Sequence, residues 1–355
     1  MRPLRVLFFA NDGLGAGHVT RTLAIARALR RKVQRLELML ATTSQADALL
    51  AAEPIAAVRW PGPWQAQASG WTDPIRRSVA ARVVSGAIEG FRPELLVTDT
   101  FPSGPHGELG GLVREVPRRA LVRRSVRGDC AGSGTPGAGL ADYELAIVPD
   151  DPAEHRVESL PIPTIRVPPI TLFEAHEGVD RQAARARLGL APEGRLILVG
   201  SGGGGDADAA ALAERVAEAI TRIPGGPTPV IAVGPLGRGR PAPAGIGRVN
   251  ESPLQPFLAA FDGAIAPAGY NLAHELAKAG VPTALFAMPR PFDDQAGRAG
   301  RFEQAGLGRA LTLIDDAHVA AAVAWMARAE RPSIAPGGAE RAAEALLDLL
   351  ARRAA

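Results

Sequence analysis

The chain of 355 residues holds one cysteine, Cys130, two lysines, Lys32 and Lys278, and only 5% aromatic residues. A single cysteine excludes an intramolecular disulfide framework and offers no metal-site spacing. No run approaches the roughly 18 to 20 consecutive apolar residues of a membrane-spanning helix. A signal peptide's h-region and cleavage site are missing too: the chain opens on the apolar stretch 4–9, and the expectation is a cytoplasmic protein. Charge is nearly balanced, with 40 basic and 37 acidic residues and a net +3. So small a surplus does not argue for nucleic acid. The scarcity of lysine is read as GC-rich coding composition and carries no functional weight. With 46% hydrophobic and 22% charged residues and no long polar tract, the chain is globular.

What is present is alternation. At roughly 150 residues per domain the length predicts two domains. Short apolar runs at 4–10, 36–41, 95–98 and 120–122 read as buried parallel strands, with helical stretches at 18–31, 44–51 and 74–90 between them. Ser44 is expected to cap the second of these helices. Further strands are expected near 144–148 and 165–167, and the Gly-, Ser- and Pro-rich segment 128–139 reads as a loop. Four prolines between 161 and 178 mark a linker. Beyond it a helix at 180–188 leads into a second series, with strands at 196–199, 229–233, 264–266 and 283–286. Its helices fall at 207–223, 253–260, 271–279, 294–305, 318–329 and 339–353. The fold class expected is α/β: two Rossmann-like doubly wound domains, 1–165 and 166–355, facing a central cleft at the strand carboxyl ends.

Four clusters carry chemistry. The first, Asn11-Asp12-Gly13-Leu14-Gly15-Ala16-Gly17-His18, joins the first strand to the first helix. Glycines there allow close backbone approach, and the free N–H groups of a helix start suit an anion or a sugar. Gly15, Gly17 and Arg21 are assigned to the acceptor side, and His18 is the candidate base. The second, Thr98 to Glu108, leaves the third major strand on the same rim. Asp99 there can orient His18 and stabilise its charge, with Glu108 and His106 as acceptor-site candidates. The third is Gly200-Ser201-Gly202-Gly203-Gly204-Gly205. It fits G-x-G-x-x-G, yet the next strand runs into Ala232-Val233-Gly234-Pro235, with none of the acidic ribose clamp of a dinucleotide site. Ser201, Gly202, Gly203 and Gly204 are therefore read as holding a diphosphate. The fourth runs through Gly269, Tyr270, Asn271, Glu275, Gly280-Val281-Pro282 and Gln295. Gly269 opens a helix able to meet phosphate, Glu275 can accept ribose hydroxyls, and Gln295 can bridge sugar hydroxyls. No Asp-x-Asp pair or His/Cys cluster suggests a metal site.

Together these clusters resemble glycosyltransferase family 28, which includes the N-acetylglucosaminyltransferase of peptidoglycan lipid synthesis, and are more similar still to bacterial predicted glycosyltransferases. The G-x-G-H-x-x-R loop is matched by Gly15, Gly17, His18 and Arg21, a D-x-F-P-x-G-x-x-G-E segment by Asp99 to Glu108, and G-G-Y-N…E…Q from Gly269 to Gln295, with Ala268 replacing the first glycine. The resemblance implies a GT-B fold and an inverting, metal-independent transfer of a hexosyl or N-acetylhexosaminyl group. The donor is a nucleotide-diphosphate sugar, used as substrate, with no cofactor. His18 or Asp99 would deprotonate the acceptor hydroxyl, and helix N-termini would stabilise the leaving diphosphate.

Two other readings use the same residues. Nucleotide-sugar hydrolases of pseudaminic acid biosynthesis carry the G-x-G-H-x-x-R loop, and there water replaces the acceptor. A non-catalytic sugar-nucleotide binder would keep the donor half alone; the intact His18 loop argues against it. Sugar-nucleotide epimerases share the architecture with less motif agreement. The arginines at 114, 118, 119, 123, 124 and 127 could face an anionic acceptor or a membrane surface in peripheral contact; the bland reading is a solvated basic rim.

Overall fold

The computed structural model describes residues 2–11, 15–125, 139–151, 157, 159–237, 241, 243–290 and 293–352. Chain order is β1 (Leu4–Phe9), α1 (Gly17–Lys32), β2 (Leu36–Thr42), α2 (Asp47–Ala52), β3 (Ala56–Arg59), α3 (Pro63–Ala68), α4 (Asp73–Phe91), β4 (Leu95–Asp99), β5 (Arg118–Val122), β6 (Leu145–Pro149) and β7 (Thr164–Val167). It continues with α5 (Arg181–Leu188), β8 (Leu196–Gly200), α6 (Ala207–Thr221), β9 (Thr228–Ala232), β10 (Gly247–Val249), β11 (Gly263–Pro267), α7 (Tyr270–Lys278), β12 (Thr283–Phe286), α8 (Gln295–Gln304), β13 (Arg309–Ala310), α9 (Asp316–Met326) and α10 (Gly338–Ala351).

Two all-parallel sheets result, ordered β3-β2-β1-β4-β5-β6-β7 and β10-β9-β8-β11-β12-β13. Both reverse direction once, between β1 and β4 and between β8 and β11. Such switch points open a crevice at the strand carboxyl ends. The four motif clusters leave β1, β4, β8 and β11, so each pair of clusters flanks a switch point. Strand alternation explains the layering. Val6 and Phe8 face one core and Leu7 and Phe9 the other, all at most 1% exposed; Leu198 and Val199 divide in the same way in the second sheet.

Several expectations change. A division at 165/166 cuts β7, whose residues to Val167 pair with β6. The last helix, α10, returns to the first core with Ala342, Ala343, Leu346 and Leu349. Gly338 permits that return: a Cβ there would lie 2.4 Å from the carbonyl oxygens of Pro168 and Pro169. Ser44 does not cap α2. It accepts from the Ala46 N–H at 3.4 Å, and Ala46 is the N-cap. Residues 255–260 form a 3₁₀ helix, where an α-helix was expected. The short strands β3, β10 and β13 and the six-residue α3 carry too little apolar pattern to announce themselves. The loop expected at 128–139 lies outside the described residues except for Gly139.

Candidate functional site

In the first loop Gly15 and Gly17 border open space where a Cβ would stand, and α1 begins after Ala16 with no side-chain cap. Asp12, Gly13 and Leu14 lie outside the described residues. β1 and β4 are adjacent, so the first turn of α1 meets the end of β4. His18 Nδ1 lies 2.6 Å from Asp99 Oδ1. Arg21 grips the same carboxylate with Nε (2.7 Å to Oδ2) and Nη2 (2.6 Å to Oδ1), and the Thr100 hydroxyl donates to Oδ1 at 2.7 Å. Burial alone would raise the pKa of Asp99; the charges of Arg21 and His18 and their hydrogen bonds outweigh it and hold the carboxyl well below the usual range. An ionised Asp99 can only accept, so the Nδ1 facing it carries the proton. In that tautomer Nε2 is the acceptor.

Thr100 is a feature that the motif reading missed. Its φ is +65°, an unusual conformation for a β-branched residue. Its N–H donates to Val122 O, its carbonyl accepts from Arg123 and its hydroxyl meets Asp99. Three anchors fix the backbone beside Asp99. A lone threonine after a strand offers no sequence signal for this.

Two acceptor-side assignments change. Arg21 is 1% exposed and binds Asp99, so it orients the dyad from behind. Glu108, 2% exposed, accepts from Asn11 Nδ2 at 3.2 Å and the His106 N–H at 2.9 Å and lies 3.8 Å from Arg76. It braces the loops after β1 and β4 from inside.

The second domain sorts its motif residues in the same manner. Ser201 is 4% exposed and its hydroxyl donates to Ala232 O and Val233 O at 2.7 and 3.0 Å. Gly202 and Gly204 adopt φ of +68° and +82°, and a Cβ on Gly204 would lie 2.3 Å from Val233 O. These glycines thus pack one loop on another. The start of α6 is capped by Asp206, which accepts from the N–H groups of Asp208 and Ala209 and pairs with Arg290 at 2.5 Å. Gln295 is likewise committed: Oε1 accepts from the Met288 N–H at 3.0 Å and Nε2 donates to Asp293 at 3.2 Å.

The start of α7 is different. Gly269 is its N-cap, no side chain caps it, and a Cβ on Gly269 would enter open space. Asn271 Nδ2 donates to Gly17 O at 3.1 Å, so the starts of α1 and α7 meet across the two domains. Tyr270 is 3% exposed, with the guanidiniums of Arg21, Arg124 and Arg298 at 5.6, 5.0 and 5.8 Å from its ring centre. Glu275 is half-buried and its carboxylate makes no hydrogen bond or ion pair among the described residues. Burial pushes its pKa up to about 7. Farther along the face of α7 that carries Asn271, His274 pairs with Asp151, and Lys278 Nζ lies 3.0 Å from both Glu174 oxygens. No group of three His, Cys, Asp or Glu side chains suited to a metal occurs among the described residues.

No family model matches the chain, and no curated protein is similar to it. Solved structures are similar along its whole length. The calicheamicin glycosyltransferase CalG4 superposes with a TM-score of 0.63 at 19% identity, covering 100% of both chains. The spinosyn rhamnosyltransferase SpnG complexed with thymidine diphosphate gives 0.57 at 19% identity, over 98% of this chain and 96% of that one. MurG of Acinetobacter baumannii gives 0.54 at 16% identity, over 98% and 100%. At these identities the likeness establishes the fold: two parallel-sheet α/β domains in the GT-B arrangement.

Proposed function

We propose that the protein is an inverting, metal-independent glycosyltransferase that moves a hexosyl or N-acetylhexosaminyl group from a nucleotide-diphosphate sugar to an acceptor hydroxyl. The observation that carries this reading is the meeting of the starts of α1 and α7, where Asn271 Nδ2 donates to Gly17 O, beside the oriented His18–Asp99 dyad, with Glu275 farther along α7. Two helix N-termini repel one another through their dipoles, and an anion between them removes that repulsion. The leaving diphosphate supplies the anion, and first-turn amides stabilise it as its bond to the sugar breaks. Glu275 accepts the two ribose hydroxyls of the donor. His18 Nε2 takes the proton of the acceptor hydroxyl, which attacks the anomeric carbon from the face opposite the diphosphate. Asp99 stabilises the imidazolium formed. The similar structures include glycosyltransferases, one complexed with thymidine diphosphate, which supports the same reading.

The test is product analysis with a panel of UDP-, GDP- and TDP-sugars, first alone and then with candidate acceptors. Transfer with inverted anomeric configuration is expected. Rapid release of free sugar, unchanged by any acceptor, would instead make the protein a nucleotide-sugar hydrolase. Failure to bind any nucleotide-sugar would overturn both.

A further inference from the structure

The arginines from the 3₁₀ turn at Gly110–Glu115, through β5, to the residues just after it separate into two kinds. Arg114 donates to Asp142 at 2.7 Å, Arg118 to Glu144 at 2.7 Å, and Arg119 to the Asp142 carbonyl at 2.6 Å while 3.5 Å from Glu144. Arg124 reaches across to Asp293 at 2.6 Å. Arg127 lies outside the described residues. Arg123 is the exception. It follows β5 directly, is only 8% exposed and makes one side-chain hydrogen bond, from Nη1 to Thr100 O at 2.8 Å. It has no carboxylate partner among the described residues, and burial lowers its pKa with nothing nearby to offset the effect. A guanidinium has five N–H donors, and a desolvated cation with no counter-ion is costly to keep.

Its surroundings reinforce the imbalance. Thr100, the residue it touches, also binds the Asp99 carboxylate that orients His18. Arg21, Arg123, Arg124 and Arg298 gather around this junction, and among the described residues the carboxylates of Asp99 and Asp293 pair with Arg21, Arg124 and Arg298 but not with Arg123. The surplus positive charge is held by the sheet that carries His18, whereas Gly269 and Glu275 belong to the other sheet.

We propose that Arg123 is an oxyanion subsite on the acceptor side, binding a phosphate or carboxylate carried by the molecule whose hydroxyl faces His18. The planar fork of the guanidinium suits bidentate contact with either group. The word acceptor rests on the glycosyl-transfer reading; the anion site does not. Phosphate bound there would supply the missing counter-ion and fix the acceptor's orientation beside the dyad.

Inorganic phosphate and acetate, titrated by calorimetry into the full-length protein, test the site with and without a saturating nucleotide-sugar. Arg123→Gln should weaken the anion site that persists beside bound nucleotide-sugar at least tenfold, and Glu275→Gln should leave it unchanged. No phosphate or acetate binding to the wild type at millimolar concentration, or equal binding to Arg123→Gln, would overturn the proposal. Displacement of the anion by nucleotide-sugar would assign it to the donor and overturn the acceptor claim, even if the transfer reading stands. Should Arg123→Gln fail to fold, phosphate-soaked crystals of the wild type decide: an anion within hydrogen-bond distance of Arg123 is expected, and ordered phosphate only elsewhere refutes it.

Discussion

Asp99 accepts four hydrogen bonds, one from His18, two from Arg21 and one from Thr100, and so joins chemistry to stability. His18 and Asp99 should therefore fail differently when replaced. The His18 side chain is 27% exposed, and His18→Ala should lower turnover by about 10² to 10⁴ with donor affinity and stability nearly unchanged. Asp99→Asn takes from the buried Arg21 the carboxylate it grips with two nitrogens and should also cost about 3 to 5 kcal/mol in urea unfolding. Equal stability losses for the two variants would contradict this division of labour. Glu275 provides the pH test. Its folded pKa, about 7, lies above that of an ordinary carboxyl, so the unfolded chain ionises first and stability falls as pH rises through that interval. Glu275→Gln should therefore raise the melting temperature at pH 8 and not at pH 5. Ribose hydroxyls favour the ionised carboxylate, so nucleotide-sugar affinity should rise from pH 6 to 8 with proton release. Calorimetry in buffers of different ionisation enthalpy reads that release, and Glu275→Gln should abolish it. A nucleotide-sugar is the proper ligand, because its diphosphate does not titrate in this window.

At the scale of elements, helix starts differ in whether their own N-cap side chain closes them. Asp206 and Asp294 cap α6 and α8, while α1 and α7 have no side-chain cap. Glycine content does not report this: the run at 202–205 reads as a diphosphate cradle in sequence, and in the fold Gly204 packs on the loop after β9. Along α7, residues 271, 274 and 278 recur at helical spacing on one face and dock on the first domain and the linker through Gly17, Asp151 and Glu174. Lys278→Met leaves the buried Glu174 with the Gly337 N–H but without its cation, and chemical denaturation should show a loss of about 3 to 5 kcal/mol. Lys278→Met combined with Glu174→Met should recover much of it, because the uncompensated charge is then gone. A double variant as unstable as the single one would mean that the pair acts by shape alone.

Across the whole molecule, α10 makes the chain's end part of its beginning. Leu346 and Leu349 are buried in the first core at 0% and 3% exposure, and Lys32 pairs with Glu344 at 2.8 Å. Removing residues 338–355 should expose that core, destabilise the first domain and promote dye binding or aggregation, although the deleted segment follows the second domain in sequence. The proposed leaving-group site uses helix amides, so transfer should survive EDTA. Complete loss restored by magnesium or manganese would show that a cation does this work.

Strand and helix alternation, read from local apolar period, was enough to predict two doubly wound sheets, and the glycine-bearing clusters around His18, Asp99 and Gly269 marked the strand ends that flank the switch points. Those signals are local: a buried parallel strand is an apolar run, and a helix start near a glycine is visible in a few residues. Which motif residues remained available was decided by tertiary contact. Ser201, Glu108 and Gln295 have the side chains that bind ligands, but neighbouring loops already take their hydrogen bonds. Arg123 looks like its neighbours in sequence and differs only because the fold buries it away from every acid among the described residues. The crossing of α10 and the clasp of α7 were equally hidden, since each joins residues more than a hundred positions apart. Chemical type is a property of the residue, whereas availability depends on what the folded chain has already placed against it.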